Sequence, residues 1–558
     1  MKVPVPLFLI IFLGAARLFA EEPQQPPHSS EADVIDQRAF EESRSEVLKT
    51  KRKKKPLIKK APEPEKPKAE GELKFFVREI VLQGSRLIPP EELRPFLKPF
   101  EGRELTLTEA NRLAKLLQQE HRRRGYITTL VFVPPQRVES GRLTLTVLEG
   151  KFGKLYIEGS RWFSDQAVRR YWTLREGEPL QYEELQKSLR RINGNPDRQA
   201  QIVLRPGKEA AATDVYLKIK DKFPGHGRFQ YDNQGSKTTG RRRYGFMARY
   251  NNALIPDSIF LIGTVFGKDF GAIYAQYLVP LTSFGTQAIF GFSHSQAAPK
   301  REFKGSDVHG DSSSYSISLR QALMQTDRLA ANLSFGFDFK ESRSRDVSGV
   351  RRRERLRVLR PAADLTEYDS KGYTLLSNQF GFGLNGLGAS GEGNPLSGRV
   401  SADPSFVKYT GSISRILRMP FGSRTSFKLD YQVSLDKLLS QEEFYLGGAG
   451  TVRGYPEGDY LADQAVLFSF EYLFPIPLPF WKIPALEGVV FFDEGYGRLR
   501  GASAAEFKKR HLMGLGGGLR IRLKEYLSAR VEIGHAIGQE PLTESDHTRL
   551  HFQLQMEV

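Results

Sequence analysis

The sequence predicts an α+β amino-terminal part made of two β-α-α-β-β repeats, followed by a 16-stranded antiparallel transmembrane β-barrel. Three observations predict it. The 558 residues include 38 Phe, 21 Tyr and 51 Gly at a mean hydropathy of −0.42. Many aromatics with a polar average suit strands that face lipid on one side and water on the other. Past the first twenty residues no stretch suits a membrane helix: the best, 472–492, holds four prolines with Lys482 and Glu487, and proline breaks the ladder a spanning helix needs. Finally, helical periodicity stops near residue 223, and strict alternation of apolar and polar residues runs from there to the end.

In chain order, residues 1–20 read as a signal peptide: Lys2, an apolar run from Val3 to Leu13, and a cut after Ala20. Residues 21–50 contain one amphipathic helix, with Ser30 as N-cap and Val34, Ile35, Phe40, Val47 and Leu48 on a ragged apolar face; it is expected to plug the lumen. Residues 51–71 form a basic, proline-rich linker. Two copies of one pattern follow, at 72–150 and 151–222, and in the longer helix of the first copy Leu113, Leu116 and Leu117 form an apolar stripe that reads as core.

From 223 to 558 the expected strands are 226–234, 241–252, 259–269, 272–281, 286–299, 313–326, 328–345, 354–368, 373–385, 404–420, 424–438, 464–476, 485–500, 510–523, 527–539 and 548–558. Short connections such as "TSFG", "DR", "DSKG" and "KEY" follow even-numbered strands, and several odd-numbered ones are followed by long loops. That parity is what short turns on one side of a membrane and longer loops on the other require.

Several function classes are excluded. "GFGLNG" (381–386) has the spacing of a dinucleotide loop, but a glycine-rich loop follows it instead of a helix. "GLGGGLR" (514–520) is close strand packing or a bend rather than a phosphate cradle. No nucleophile elbow, zincin motif or Walker loop occurs, the nine histidines lack ligand spacing, and there is no cysteine. No catalytic residue, metal, cofactor or nucleotide is therefore expected. The net charge of +18, in an exported chain, points to lipopolysaccharide phosphates or a basic lumen rather than to nucleic acid. The segment 342–357, "SRSRDVSGVRRRERLR", concentrates basic residues around the fourth outside loop, where lipid phosphate and plain solvation are both open readings.

Five segments in order, "RGYITTLVFVPPQ", "NGNPDRQAQIVLRPG", "YDNQGSKTTGRRR", "GTVRGY" and "FFDEG", resemble the two-partner secretion transporters of the haemolysin-activator type. That family belongs to the superfamily of outer-membrane assembly factors with polypeptide-transport-associated (POTRA) domains. The resemblance spans residues 21–558. It implies an outer-membrane protein with two periplasmic POTRA repeats that capture an unfolded exported polypeptide, a large secreted partner, which the barrel then passes outward. It places "GTVRGY" in the sixth outside loop, folded into the lumen. There Val452, Arg453, Gly454 and Tyr455 form the anchor motif, with Phe491, Asp493 and Gly495 as its strand counterpart. Glu471 is a second inward-facing carboxylate. Arginine's planar fork pairs bidentately with a carboxylate, so Arg453 is expected to bind Asp493. The client-docking candidates are Ile127, Thr128, Leu130 and Phe132 on one strand edge, and Gln201 and Val203 on another. An outer-membrane insertase and a passive porin are the competing readings. Val558 departs from the terminal aromatic common among outer-membrane proteins.

Overall fold

The computed structural model describes residues 58–60 and 74–558, apart from 139, 301–306, 348, 392, 400, 478–485, 505 and 524–525. The expected signal peptide and plug helix lie outside the described residues, as does most of the expected linker. The described part of that linker is strand β1 (Ile58–Lys60).

The first repeat runs β2 (Lys74–Val77), β3 (Glu79–Gln83), α1 (Pro90–Leu97), β4 (Arg103–Thr106), α2 (Leu107–Arg123), β5 (Leu130–Phe132) and β6 (Arg142–Leu148). Helix α2 starts at a capping box: the Glu109 amide donates to Thr106 Oγ1 (3.2 Å) and the Thr106 amide to Glu109 Oε2 (2.9 Å). Leu113 and Leu117 are fully buried with Leu143 and Leu145 of the sheet β3-β6-β5, beside the nearly buried Ile80, each fully buried side chain contributing about 1.5–3 kcal/mol. Leu116 falls at the solvent-facing margin of the stripe, 36% exposed, so it is not core. Near the end of α2, Glu120 is nearly buried and takes hydrogen bonds from Arg123 and Arg124. These two guanidiniums, Arg123 first, hold its carboxyl down at about 2.

The second repeat runs β7 (Lys151–Glu158), α3 (Asp165–Arg169), α4 (Tyr182–Ile192), β8 (Arg198–Pro206) and β9 (Ala212–Asp221). Leu185, Leu189 and Ile192 of α4 pack on Ile202, Leu204, Val215 and Leu217. The sheet order is β1-β8-β9-β7, with β1 parallel to β8 in the register Ile58↔Ile202 to Lys60↔Leu204.

The barrel strands are β10 (Gly225–Asp232), β11 (Arg243–Tyr250), β12 (Ile259–Phe266), β13 (Phe270–Pro280), β14 (Thr286–Ala297), β15 (His309–Gln325), β16 (Leu329–Asp346) and β17 (Gly349–Tyr368). They continue with β18 (Gly372–Gly383), β19 (Val407–Arg418), β20 (Arg424–Ser434), β23 (Gln464–Pro475), β24 (Leu486–Arg498), β25 (Lys509–Leu523), β26 (Leu527–Ala536) and β27 (Thr548–Glu557). Two short strands, β21 (Phe444–Leu446) and β22 (Tyr460–Ala462), lie inside the loop between β20 and β23. The sixteen wall strands close into one antiparallel barrel, β10 pairing with β27, and each falls within a few residues of its expected position. The basic segment 342–357 is strand rather than loop for most of its length, because β16 and β17 extend their ladder almost to the turn. Val558 exchanges backbone hydrogen bonds with Gly227 on β10 (2.9 and 3.0 Å), so the residue in the aromatic's place still helps close the seam.

The second repeat is fixed to the barrel rim through "NGNPDRQ". Arg198 Nη2 donates to Asp257 Oδ2 (3.0 Å), Asn195 Nδ2 to the Asn251 carbonyl (2.7 Å), and Asn251 Nδ2 to Asp197 Oδ2 (2.6 Å). These groups are buried and mutually paired, which orients the repeat under the pore.

Candidate functional site

The loop between β20 and β23, residues 435–463, is the sixth on the side opposite the repeats. Its tip folds back among the wall strands, where Val452, Arg453, Tyr455 and Tyr460 are all buried. Glycine makes this possible at two kinds of position. Gly454 has φ 102°, and a Cβ there would lie 2.6 Å from the Ala536 amide nitrogen; a side chain on Gly514 of β25 would lie 2.0 Å from the Arg453 carbonyl oxygen. Loop backbone thus touches strand backbone, which only glycine permits. Gly495 likewise faces Val452 and Leu446, a Cβ there reaching 2.9 Å from Val452.

Arg453 is the centre of the site. Its Nε and Nη2 donate to Asp493 Oδ2 and Oδ1 at 2.7 and 2.8 Å, and its amide to Oδ2 at 3.2 Å. Nη1 donates to Glu471 Oε1 (2.7 Å) and Glu532 Oε2 (3.1 Å). The guanidinium carbon lies 3.5 Å from the centre of the Phe491 ring, a cation–π contact on its remaining face. Tyr455 Oη donates to the Gln539 carbonyl (2.8 Å). The structure therefore brings Val452, Arg453, Gly454 and Tyr455 together with Phe491, Asp493, Gly495 and Glu471.

Sequence reasoning missed the rest of the constellation. Arg520 on β25 donates to Glu471 (2.7 and 3.0 Å) and to Glu532 (2.7 Å), bracing the carboxylates that receive Arg453. Their lumen-facing positions in alternating strands were the available signal. A second attachment was also missed. Glu442, 1% exposed, meets Lys340 of β16 (2.9 Å), Arg360 of β17 (2.6 Å) and Lys408 of β19 (2.8 Å). The tip brings a cation to carboxylates, and the base of the loop brings a carboxylate to cations. Nearby, Arg399 of the fifth outside loop reaches Glu443 (2.6 Å), Asp463 (2.8 Å) and Glu506 (3.3 Å).

Of the docking candidates, Leu130 and Phe132 lie on β5, at the edge of its sheet, 46% and 40% exposed. Ile127 and Thr128 do not extend that strand. Gly125, at φ 93°, turns the chain after α2, and the Ile127 amide bonds back to the Gly125 carbonyl (3.0 Å), so both residues sit in a turn. Ile127 packs on the core of the second repeat. Gln201 and Val203 lie on β8, whose outer edge is paired with β1.

Residues 211–521 match the family "Haemolysin secretion/activation protein ShlB/FhaC/HecB", and residues 75–150 match the "POTRA domain, ShlB-type". The heme/hemopexin transporter protein HuxB of Haemophilus influenzae (strain 86-028NP) is 24% identical over 440 residues, 76% of this chain and 77% of that protein. The outer membrane transporter CdiB of Dickeya dadantii (strain 3937) is 23% identical over 430 residues, 75% of each. The solved structure of CdiB from Escherichia coli shares the fold, with a TM-score of 0.69 at 20% identity over 94% of this chain and 98% of that one. The family match covers more than half of the sequence, and the fold agrees along nearly all of it. The chain accordingly belongs to the haemolysin secretion/activation family, the outer-membrane transporters of two-partner secretion.

Proposed function

We propose that the sixth loop is the lid of the resting transporter, and that an unfolded partner polypeptide, held at the edge of a periplasmic sheet, displaces it on the way out. The transporter acts with a large secreted partner protein, and its repeats lie in the periplasm. The observation that carries the lid reading is Arg453, whose guanidinium binds Asp493, Glu471, Glu532 and Ser469 of the barrel wall and stacks one face on the Phe491 ring. For capture, β5 supports the reading: an edge that pairs with no further strand among the described residues offers main-chain hydrogen bonds, and Leu130 and Phe132 offer side-chain grip. Among the motifs of the sequence none is a nucleotide loop, so the driving force is assigned to folding of the client outside. No catalytic step is part of this reading.

Arg453→Ala tests it. The change strands Asp493 without its bidentate partner, and breaking a buried pair by removing one member costs about 3–5 kcal/mol. With the latch gone the resting pore is expected to open, so basal conductance in a planar bilayer rises while heat-modifiable mobility shows an intact barrel, since the strand ladders are untouched. Exchanging the charges, Arg453→Asp with Asp493→Arg, is expected to lower the conductance again in part. Wild-type conductance of Arg453→Ala would remove the lid mechanism.

A further inference from the structure

The hairpin β16–β17 is longer than a membrane crossing needs. Its strands hold 18 and 20 residues, against about 9–11 for a tilted span. Outward-facing Leu333, Phe335 and Phe339 on β16 are 47%, 54% and 40% exposed, as suits the lipid belt. Above Phe339 the same face changes character. Its next outward positions are Glu341, Arg343 and Arg345, and across the ladder Arg357 stands opposite Phe339, Arg355 opposite Glu341 and Arg353 opposite Arg343. The intervening residues, Arg352, Glu354 and Leu356, are buried toward the lumen, so the alternation places these arginines on the outer surface.

They are poorly neutralised. A single oxygen, Glu341 Oε1, takes Arg343 at 2.7 Å, Arg353 at 3.4 Å and Arg355 at 3.5 Å. Among the described residues, the further carboxylates near this face are Asp311 on β15, opposite Arg343, and Asp307, which meets His309 opposite Arg345 (3.3 Å). Arg357 lies 5.0 Å over the Phe339 ring and donates to the carbonyls of Lys340, Leu356 and Leu387, which neutralise no charge. Among the described residues, the five guanidiniums therefore outnumber the carboxylates of this face at the height where the apolar belt ends. Packing like charges this closely is unfavourable unless a further anion sits among them.

The hairpin tip lies on the side opposite the periplasmic repeats, so this surface meets the outer leaflet. We propose that the arginine ladder Arg343–Arg353–Arg355, with Arg345 and Arg357, binds the phosphate groups of an anionic phosphoglycolipid of that leaflet. Guanidinium forks pair bidentately with phosphate oxygens, and Phe335 and Phe339 directly below receive the acyl chains. The ladder lies on the outer face of the hairpin whose inner face meets Glu442 through Lys340 and Arg360, and its lipid test does not depend on the lid reading.

The test is native mass spectrometry of the full chain in detergent, titrated with bisphosphorylated lipid A, monophosphoryl lipid A, phosphatidylcholine and inorganic phosphate. Bisphosphorylated lipid A is expected to be retained best, the monophosphoryl form more weakly, and phosphatidylcholine not above background. Arg343→Gln with Arg353→Gln and Arg355→Gln is expected to weaken lipid A retention at least tenfold. Arg353→Gln alone, the fallback should the triple variant fail to assemble, is expected to weaken it about threefold. Arg351→Gln, which removes the partner of Asp346 at the tip, is expected to leave retention unchanged. Full retention by the assembled Arg353→Gln and triple variants, or equal retention of phosphatidylcholine, overturns the proposal. Displacement of lipid A by equimolar inorganic phosphate reassigns the ladder to a free anion and overturns it as well.

Discussion

Glu442 carries a testable consequence at the residue scale. Its carboxylate is the shared partner of Lys340, Arg360 and Lys408, with Asp338 also contacting Arg360. In Glu442→Gln those cations lose their common partner in a buried setting, a loss of about 3–5 kcal/mol, and the base of the loop is expected to detach. Planar-bilayer recording should then show a higher basal conductance than wild type, with unchanged heat-modifiable mobility. Unaltered conductance would show that the tip alone holds the loop. Arg453 was legible in the sequence because one charge stood among glycines, which leave a loop costly to order without an anchor. Glu442 was not. Beside Glu443 it reads as a solvent-facing acidic pair, and nothing local points to cations on three distant strands. The stretch "YITTLVFVP" misled for a related reason. Its β-branched residues favour a strand throughout, but the turn begun at Gly125 consumes the first of them.

Between elements, the pairing of β1 with β8 sets up a competition. A client strand can add to the Gln201–Val203 edge only where Ile58–Lys60 is absent. Lys59→Pro removes a backbone donor and fixes φ, so it is expected to free that edge and raise the affinity of the periplasmic repeats for an extended segment of the partner, by about tenfold in fluorescence titration of the full chain. Replacing Leu130 and Phe132 by Ser should instead lower it. If Lys59→Pro leaves the affinity unchanged, β8 takes no part in capture. β1 could not be read locally, because lysines and prolines dominate its surroundings and a parallel pairing to a strand far along the chain leaves no mark on local periodicity.

Across the whole molecule, the sixteen wall strands were legible because one face of each meets lipid, so every register error would expose polar groups there. The two loop attachments belong to this scale too, since they hold one strap at two points on separate arcs of the wall. Releasing either end alone leaves the other in place. The combined variant Arg453→Ala with Glu442→Gln is therefore expected to conduct more than the two single variants would add up to. Strict additivity would mean that the two ends act independently.

The arcs that hold the strap differ in sign: Asp493, Glu471 and Glu532 on one, Lys340, Arg360 and Lys408 on the other. With the strap swung aside, these groups create a field that runs sideways across the pore instead of along it. Such a field does no net work on a chain moving down the axis, whatever that chain's total charge. It acts instead on the orientation of each passing segment, turning acidic side chains toward one wall and basic ones toward the other. An extended polypeptide would travel with a preferred roll about its own axis.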